Sequence, residues 1–428
     1  MSWQSPISPG VSWYEATVGE RPEYPPLDGS VEADVAIVGG GFTGLQAAYN
    51  LAKKGVRTVL IEAHRFGDGA SGRNGGQLNT GQRAEAEVLE EELGFERAKA
   101  LFDLAENAKR HLMDFAAAQD LDIEYMPGQL NVSHKARFEK EFRDHVEIAA
   151  TRYGYPHMTF MDRAETEERV GSKRFHFGIR DTGTGHIHPM KLLVGIARAA
   201  KAAGASIHEK TPALKIERVG GKAVITTAKG TIRADRALIA CNAYIGNLEP
   251  QTAAHVMPIR SFIGATPVLD DYPKVIPGGE AVADTRFVVR YFRKTRDGRL
   301  LFGGREAYTA DNPSDMTVHI RRQIAEIYPE LRDIEITHAW GGSVGITLPR
   351  RPYVREVMPG ITSIGGYSGH GVMLSNYCGK LYAEAATGGS TELDHLKALK
   401  IPPFPGGTRL RAPLLFLAMT WYALRDKL

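Results

Sequence analysis

A short apolar run, Val35-Ala36-Ile37-Val38, passes directly into Gly39-Gly40-Gly41-Phe42-Thr43-Gly44, and this junction constrains the chain more than any other stretch. Four consecutive apolar residues read as a parallel strand buried on both faces. Gly39, Gly41 and Gly44 stand in GxGxxG order. That order permits a tight turn, close approach of the backbone to a pyrophosphate, and close packing of a helix on the strand. From Phe42 to Lys54 the apolar positions Leu45, Ala48 and Leu51 recur at helical spacing, Gly55 stops the helix, and Thr58 to Ile61 form a second apolar strand. Glu62 closes that strand 23 positions after Gly39, where a carboxylate can accept hydrogen bonds from ribose hydroxyls. The helix start offers free N–H groups and positive potential to phosphates. With strand, helix and acid in register, the segment is a βαβ unit for a dinucleotide rather than a simple glycine turn.

A second loop follows the acid at once: Gly69-Ala70-Ser71-Gly72-Arg73-Asn74-Gly75-Gly76-Gln77. Small and hydrogen-bonding residues at this density suit a loop lying along an extended cofactor. Ser71 and Arg73 would then reach the pyrophosphate, and the backbone from Asn74 to Gln77 would approach a ring system. A flexible surface loop has a similar composition.

Beyond Gly81 the pattern turns helical. Ala98, Leu101, Ala105, Ala108, Leu112 and Phe115 mark one face, and Phe138, Phe142, Val146 and Ala149 another; both helices are expected in a separate lobe. Asp162 and Glu165 have capping-box spacing. A helix from Met190 to Ala203 leads to a strand at Ser206 to His208, a hairpin around Gly220-Gly221, and the apolar run Ala237 to Ala240. Asp297-Gly298 reads as a turn between strands at Phe287 to Tyr291 and Leu300 to Phe302. A helix carrying Ile320, Ile324 and Ile327 precedes a strand at Ile361 to Ile364, a glycine-rich turn, and a helix from about Val372 to Ala386.

The 428 residues exceed what one hydrophobic core usually serves, so two lobes are expected. The 53 basic and 50 acidic residues are dispersed, which argues against nucleic acid as a partner. Cys241 and Cys378 are too few for a disulfide framework and lack CxxC spacing, so a reducing, cytoplasmic setting is expected. His186 and His188 share a strand face, but no third ligand is grouped with them and no metal is expected. Leu414 to Leu424 is apolar with basic ends; it reads as a terminal helix packed on the protein, with weak membrane contact as the alternative.

The stretches VAIVGGGFTGLQAAYNLAKKG, GASGRNGGQ and GGYSGHGVMLSNYCGKLYAE resemble the D-amino acid oxidase superfamily of flavoenzymes. The opening SWYEAT and the closing RLRAPLLFLAMTWYALRDKL look like its gamma-glutamylputrescine oxidase group. The resemblance implies an α/β fold, with a discontinuous Rossmann-like FAD-binding domain and an α+β substrate domain of mixed or antiparallel sheet with flanking helices. The expected segments are an N-terminal arm at 1–30, FAD-binding parts at 31–84, 176–256 and 336–400, substrate parts at 85–175 and 257–335, and a C-terminal helical tail at 401–428. FAD, held without a covalent bond, would meet Gly39, Gly41, Phe42, Thr43, Gly44, Glu62, Ala63, the loop Ser71 to Gln77, Ala213, and Gly369, Gly371, Val372 and Met373.

Backbone N–H groups at the start of the late helix can stabilise the charge of a reduced flavin, whatever the family. His370 would add a donor there or merely cap the helix. The resemblance places Tyr291, Arg293 and Trp340 on the substrate side, with aromatics bounding an amine and Arg293 meeting a substrate carboxylate. A core aromatic and a solvated arginine are the plain alternatives. The expected activity is oxidation of an amine or amino acid, with oxygen or another molecule accepting the electrons. A nicotinamide-dependent dehydrogenase and a non-catalytic flavin-binding module are the competing readings.

Overall fold

The computed structural model describes residues 5–307 and 315–407. Two sheets organise them. The first has eight strands and runs in the order 353–358, 361–365, 231–239, 31–38, 58–61, 206–208, with the hairpin strands 215–219 and 222–226 attached at 231–239. Its central pairs are parallel: Val35 to Val38 lie opposite Thr58 to Ile61 on one side and Arg236 to Ile239 on the other. Val35, Ile37 and Leu60 enter one core with Leu45 and Leu51, while Ala36, Val38, Val59 and Ile61 enter a second core on the opposite face with Ile225 and Ile239. Burial on both faces is why the run reads as apolar without alternation.

Helix Phe42–Lys53 buries Leu45, Ala48 and Leu51 against the first of these cores. Truncating Leu51 to alanine there would cost about 2–5 kcal/mol. Helix Phe95–Ala118 was expected in a separate lobe. It packs instead on this nucleotide-side core: Ala98, Leu101, Ala105, Leu112 and Phe115 share a cluster with Leu45 and Leu381, and the Phe115 ring meets Tyr49 edge-on at 5.2 Å. Its apolar stripe is read correctly from the 3.6 period, but periodicity does not say which partner covers a stripe.

The second sheet has ten strands, in the order 10–11, 338–346, 257–268, 299–307, 291–294, 281–284, 126–132, 178–186, 77–78, with 158–161 paired to 178–186. Its core gathers Phe175, Phe292, Phe302, Ile320, Ile324 and Tyr328. The expected limits at 176 and 336 each fall just before a strand that pairs in this sheet: Gly178–His186 with Met126–Val132, and His338–Ile346 with Met257–Val268. The turn at Asp297-Gly298 is present, but its first strand is Tyr291–Lys294 rather than 287–291. The fully buried carboxylate of Asp284 explains the shift, since it accepts the backbone N–H groups of Arg286 at 3.2 Å and Arg290 at 3.0 Å and holds 285–290 as a loop.

The N-terminal segment, expected as an arm, contributes an edge strand and a short helix. Gly10–Val11 is an edge strand opposite Trp340 and Ala339, and Ser12 caps the short helix Trp13–Thr17 by accepting from Glu15 N at 3.0 Å. Tyr14 is buried between the rings of His188 and Trp340, at 5.0 and 5.3 Å. Burying two large rings offsets the entropy of ordering so short a segment. Asp162 accepts from Glu165 N at 2.9 Å, so the capping-box spacing does open helix Arg163–Val170. The segment Leu414 to Leu424 lies outside the described residues. Among the described residues, no helix is long and apolar enough to cross a membrane.

Candidate active site

Strand Val31–Val38 delivers the chain to Gly39, whose φ of +109° lies where side chains are disfavoured and whose N–H donates to Ile61 O at 2.9 Å. A Cβ on Gly44 would stand 1.9 Å from the Gly39 carbonyl oxygen, so the third glycine lets the helix seat directly on the turn. Glu62 turns back over the same turn. One oxygen accepts from Gly40 N at 2.8 Å and the other from His64 N at 3.0 Å. Burial raises its pKa above the usual carboxylate range, with the two backbone donors opposing that rise. Ser71 Oγ accepts from Phe42 N at 3.1 Å, which ties the second loop to the helix start.

These groups line a cleft of about 340 Å³ together with Gly41, Thr43, Ala63 and Ala213. Its far end is formed by Gly369, Gly371 and Val372 at the start of helix Gly371–Ala386. A second cavity of about 1220 Å³ adjoins it and shares Ala70, Asn74, Val344, Ser368, Gly369 and Val372 as walls. Gly75, Gly76, Gln77, Tyr291 and His370 border this larger space. A passage therefore runs from the glycine turn, past Asn74 and Gly369, into a broad chamber. Its narrow part offers what an ADP moiety requires: a bare backbone turn, a helix start and a carboxylate at the strand end.

Asn74 shapes the passage, because its amide donates to Ala70 O and Ser71 O at 3.1 and 2.9 Å while its oxygen accepts from Gly76 N at 2.8 Å. Tyr291 carries its hydroxyl to within 3.1 Å of Ser261 Oγ on the chamber wall. His370 borders the chamber with its Nδ1 unbonded, and burial pushes its pKa down to about 3, so the ring is neutral.

Five of the expected site residues are engaged within the protein or lie away from both cavities. Arg73 borders the chamber, but its guanidinium donates to the carbonyls of Gly341, Pro9 and Gly10 at 2.6–2.7 Å and clamps the loop to the N-terminal strand instead of reaching a pyrophosphate. Burial lowers its pKa to about 10. Arg293 is 4% exposed and bonds Gly75 O, Ile187 O, Tyr14 OH and His186 Nδ1, so it is not open to a substrate carboxylate. Trp340 is fully buried and donates to Arg73 O at 3.1 Å, which makes it a support behind the loop. Gly72 meets Gly67 and Met190 in packing, and Met373 is buried in the core; neither borders either cavity. His186 and His188 spend their ring nitrogens on Gly279 O and Arg293, and on Thr17 Oγ1 and Lys191 N.

Several wall residues went unread in the sequence. Asn242, at φ +46°, accepts from Gly366 N at 2.8 Å and borders the cleft. Tyr244 OH accepts from Ser343 N at 2.9 Å. Their signal was available, since both follow the carboxyl end of a parallel strand, where ligands bind in open α/β sheets. Glu85, Glu87 and His145 gather at the chamber edge, with His145 Nδ1 2.8 Å from Glu87.

A family profile described as DAO, FAD dependent oxidoreductase, matches residues 34–385. The chain is 70% identical to the probable oxidoreductase OrdL of Rhizobium meliloti (strain 1021) over the full length of both proteins. It is 33% identical to the gamma-glutamylputrescine oxidoreductase of Escherichia coli (strain K12), covering 97% of this chain and 98% of that one. Among solved structures, glycine oxidase from Geobacillus kaustophilus superposes with a TM-score of 0.72 at 22% identity, covering 84% of this chain and 96% of the other. L-proline dehydrogenase from P. horikoshii gives 0.72 at 22%, covering 86% and 96%. At those identities the two structures speak to the fold.

Proposed function

Since the chain belongs to the DAO family of FAD-dependent oxidoreductases, we propose that it oxidises the C–N bond of an amine such as gamma-glutamylputrescine, with the chamber beside Tyr291 and His370 as the amine site. Family membership decides FAD against a nicotinamide. The observation that carries the reading is the continuity of the narrow cleft with the broad chamber at Asn74, Ser368 and Gly369. In this account Gly39 to Thr43, Glu62, Ala63, Ser71 and Ala213 hold the nucleotide half of FAD, and Asn74 to Gln77 with Gly369 to Val372 hold its ring. Bound FAD supplies a hydride acceptor for the C–H beside an unprotonated nitrogen, and water then hydrolyses the imine product.

The protein's part is position and exclusion of water. Met257, Ile259, Ile346 and Phe404 give the chamber an apolar wall for a carbon chain. A neutral His370 adds no positive charge to an amine site. Free N–H groups at the start of helix Gly371–Ala386 favour negative charge developing on the ring.

Support comes from the similarity to the gamma-glutamylputrescine oxidoreductase over nearly the whole of both chains. The test is anaerobic mixing with a panel of amines and amino acids, followed by air. Bleaching by an amine supports the reading, and a flavin that no amine reduces refutes it. Recovery of colour on admitting air identifies oxygen as an acceptor; its persistence in the reduced state identifies a different one.

A further inference from the structure

Most cations bordering the chamber are committed. Arg286 pairs with Asp284, Lys140 with Asp144, and Arg73 is held by three carbonyls. Arg350 differs. Among the described residues its guanidinium has neither a carboxylate partner nor a hydrogen bond; its contact is the ring of Phe287, 5.1 Å from the centroid. The residue is half-buried, and its backbone occupies the left-handed region at φ +53°, which an arginine seldom adopts. Both halves of the pair are locally built. Arg350 N donates to Thr347 O at 3.0 Å to close the turn that presents it, and the loop organised by Asp284 presents Phe287. Beside them Leu348 stays 45% exposed while bordering the same chamber.

A planar guanidinium stacked on an aromatic face keeps its N–H edge free for a planar oxyanion. We infer that Arg350, supported by Phe287, receives the carboxylate at the far end of the amine substrate, so that the enzyme selects elongated amines ending in a carboxylate. The inference rests on the amine reading above. It assigns to Arg350 the part that the sequence suggested for Arg293, whose donors are already spent. The aliphatic surface of Leu348 and Ile346 suits the methylene chain between the two ends.

The test compares gamma-glutamylputrescine with its carboxamide, which carries the same reacting amine but lacks the terminal charge, in the holoenzyme and in Arg350→Gln. The expected result is a rise in KM of about 10- to 100-fold for the carboxylate compound in the variant, with kcat little changed and the rise confined to that compound. Arg350→Lys should recover part of the loss. Phe287→Leu, which leaves the charge in place, should raise the same KM by a smaller factor. Equal shifts for both compounds, or no shift for either, overturn the inference. If the wild-type flavin is reduced by no amine at all, the amine reading fails, and glutarate then probes the anion site alone. Saturable calorimetric binding of glutarate to wild type, lost in Arg350→Gln, supports the site; no binding, or equal binding to both proteins, overturns it.

Discussion

Arg293 donates its Nε–H to the carbonyl of Gly75 at 2.7 Å, and through that bond the ten-stranded sheet fixes the loop bordering the cleft. The other donors of the same guanidinium reach Ile187 O and Tyr14 OH, each at 3.0 Å, so three separate segments converge on one buried cation. Replacing it by methionine strands those acceptors without donors. Arg293→Met should lower stability to urea by about 3 kcal/mol and reduce the flavin content of the purified protein. A variant of unchanged stability with a raised KM would instead make Arg293 a substrate contact.

Gly44 offers a sharper test of the nucleotide turn. Its absent Cβ would lie 1.9 Å from a backbone oxygen, which no rotamer change can relieve. Gly44→Ala should cost about 1–3 kcal/mol of stability and weaken FAD binding by at least about tenfold, read by fluorescence of released flavin.

Acid should destabilise the protein through buried histidines. His188 is 1% exposed, and its pKa is pushed down to about 3, first by burial and then by Arg293 and Lys191. In the unfolded chain the same group titrates near about 6.5. Between these values the unfolded chain binds a proton that the folded protein excludes, so stability is lost as pH falls through that window, at up to about 1.4 kcal/mol per pH unit. His188→Asn retains an N-cap acceptor and removes the titration. Urea melts at successive pH values should show a shallower acid slope in the variant than in wild type.

Neither cysteine is suited to hold the flavin covalently. Cys241 donates to Val38 O at 3.5 Å and borders the cleft, yet burial raises its thiol to about 12; Cys378, inside helix Gly371–Ala386, is raised to about 12 for the same reason. The reactive thiolate is thus scarce at both positions. Denaturing the holoenzyme in acid and filtering it should pass all the yellow colour. Colour retained on the protein would show a covalent link.

The nucleotide half of the site was legible because its chemistry is local. Gly39, Gly44 and Glu62 fall within one βαβ unit, and the packing of Gly44 on Gly39 and the bond from Gly40 N to Glu62 lie within about two dozen positions. The chamber was much less legible, since its walls come from strands far apart in the chain. Tyr291 and Ser261 meet through pairing with 299–307, and nothing in the periodicity of either strand announces that neighbour. Arg293 and Arg350 show the limit most clearly. An arginine inside a strand and an arginine after a proline look alike as candidates, and only the tertiary contacts reveal that one is saturated and the other open. The edge strand at Gly10–Val11 escaped for a related reason, because two residues carry no alternation to read.

The proposed amine oxidation requires one passage from the glycine turn at Gly39 to the chamber beyond Gly369. Anaerobic titration of the FAD-loaded protein with gamma-glutamylputrescine, followed in the visible flavin band, tests it most directly. Full bleaching is expected as the added amine approaches the amount of bound flavin. A band unchanged by this compound and by every other amine offered would contradict it.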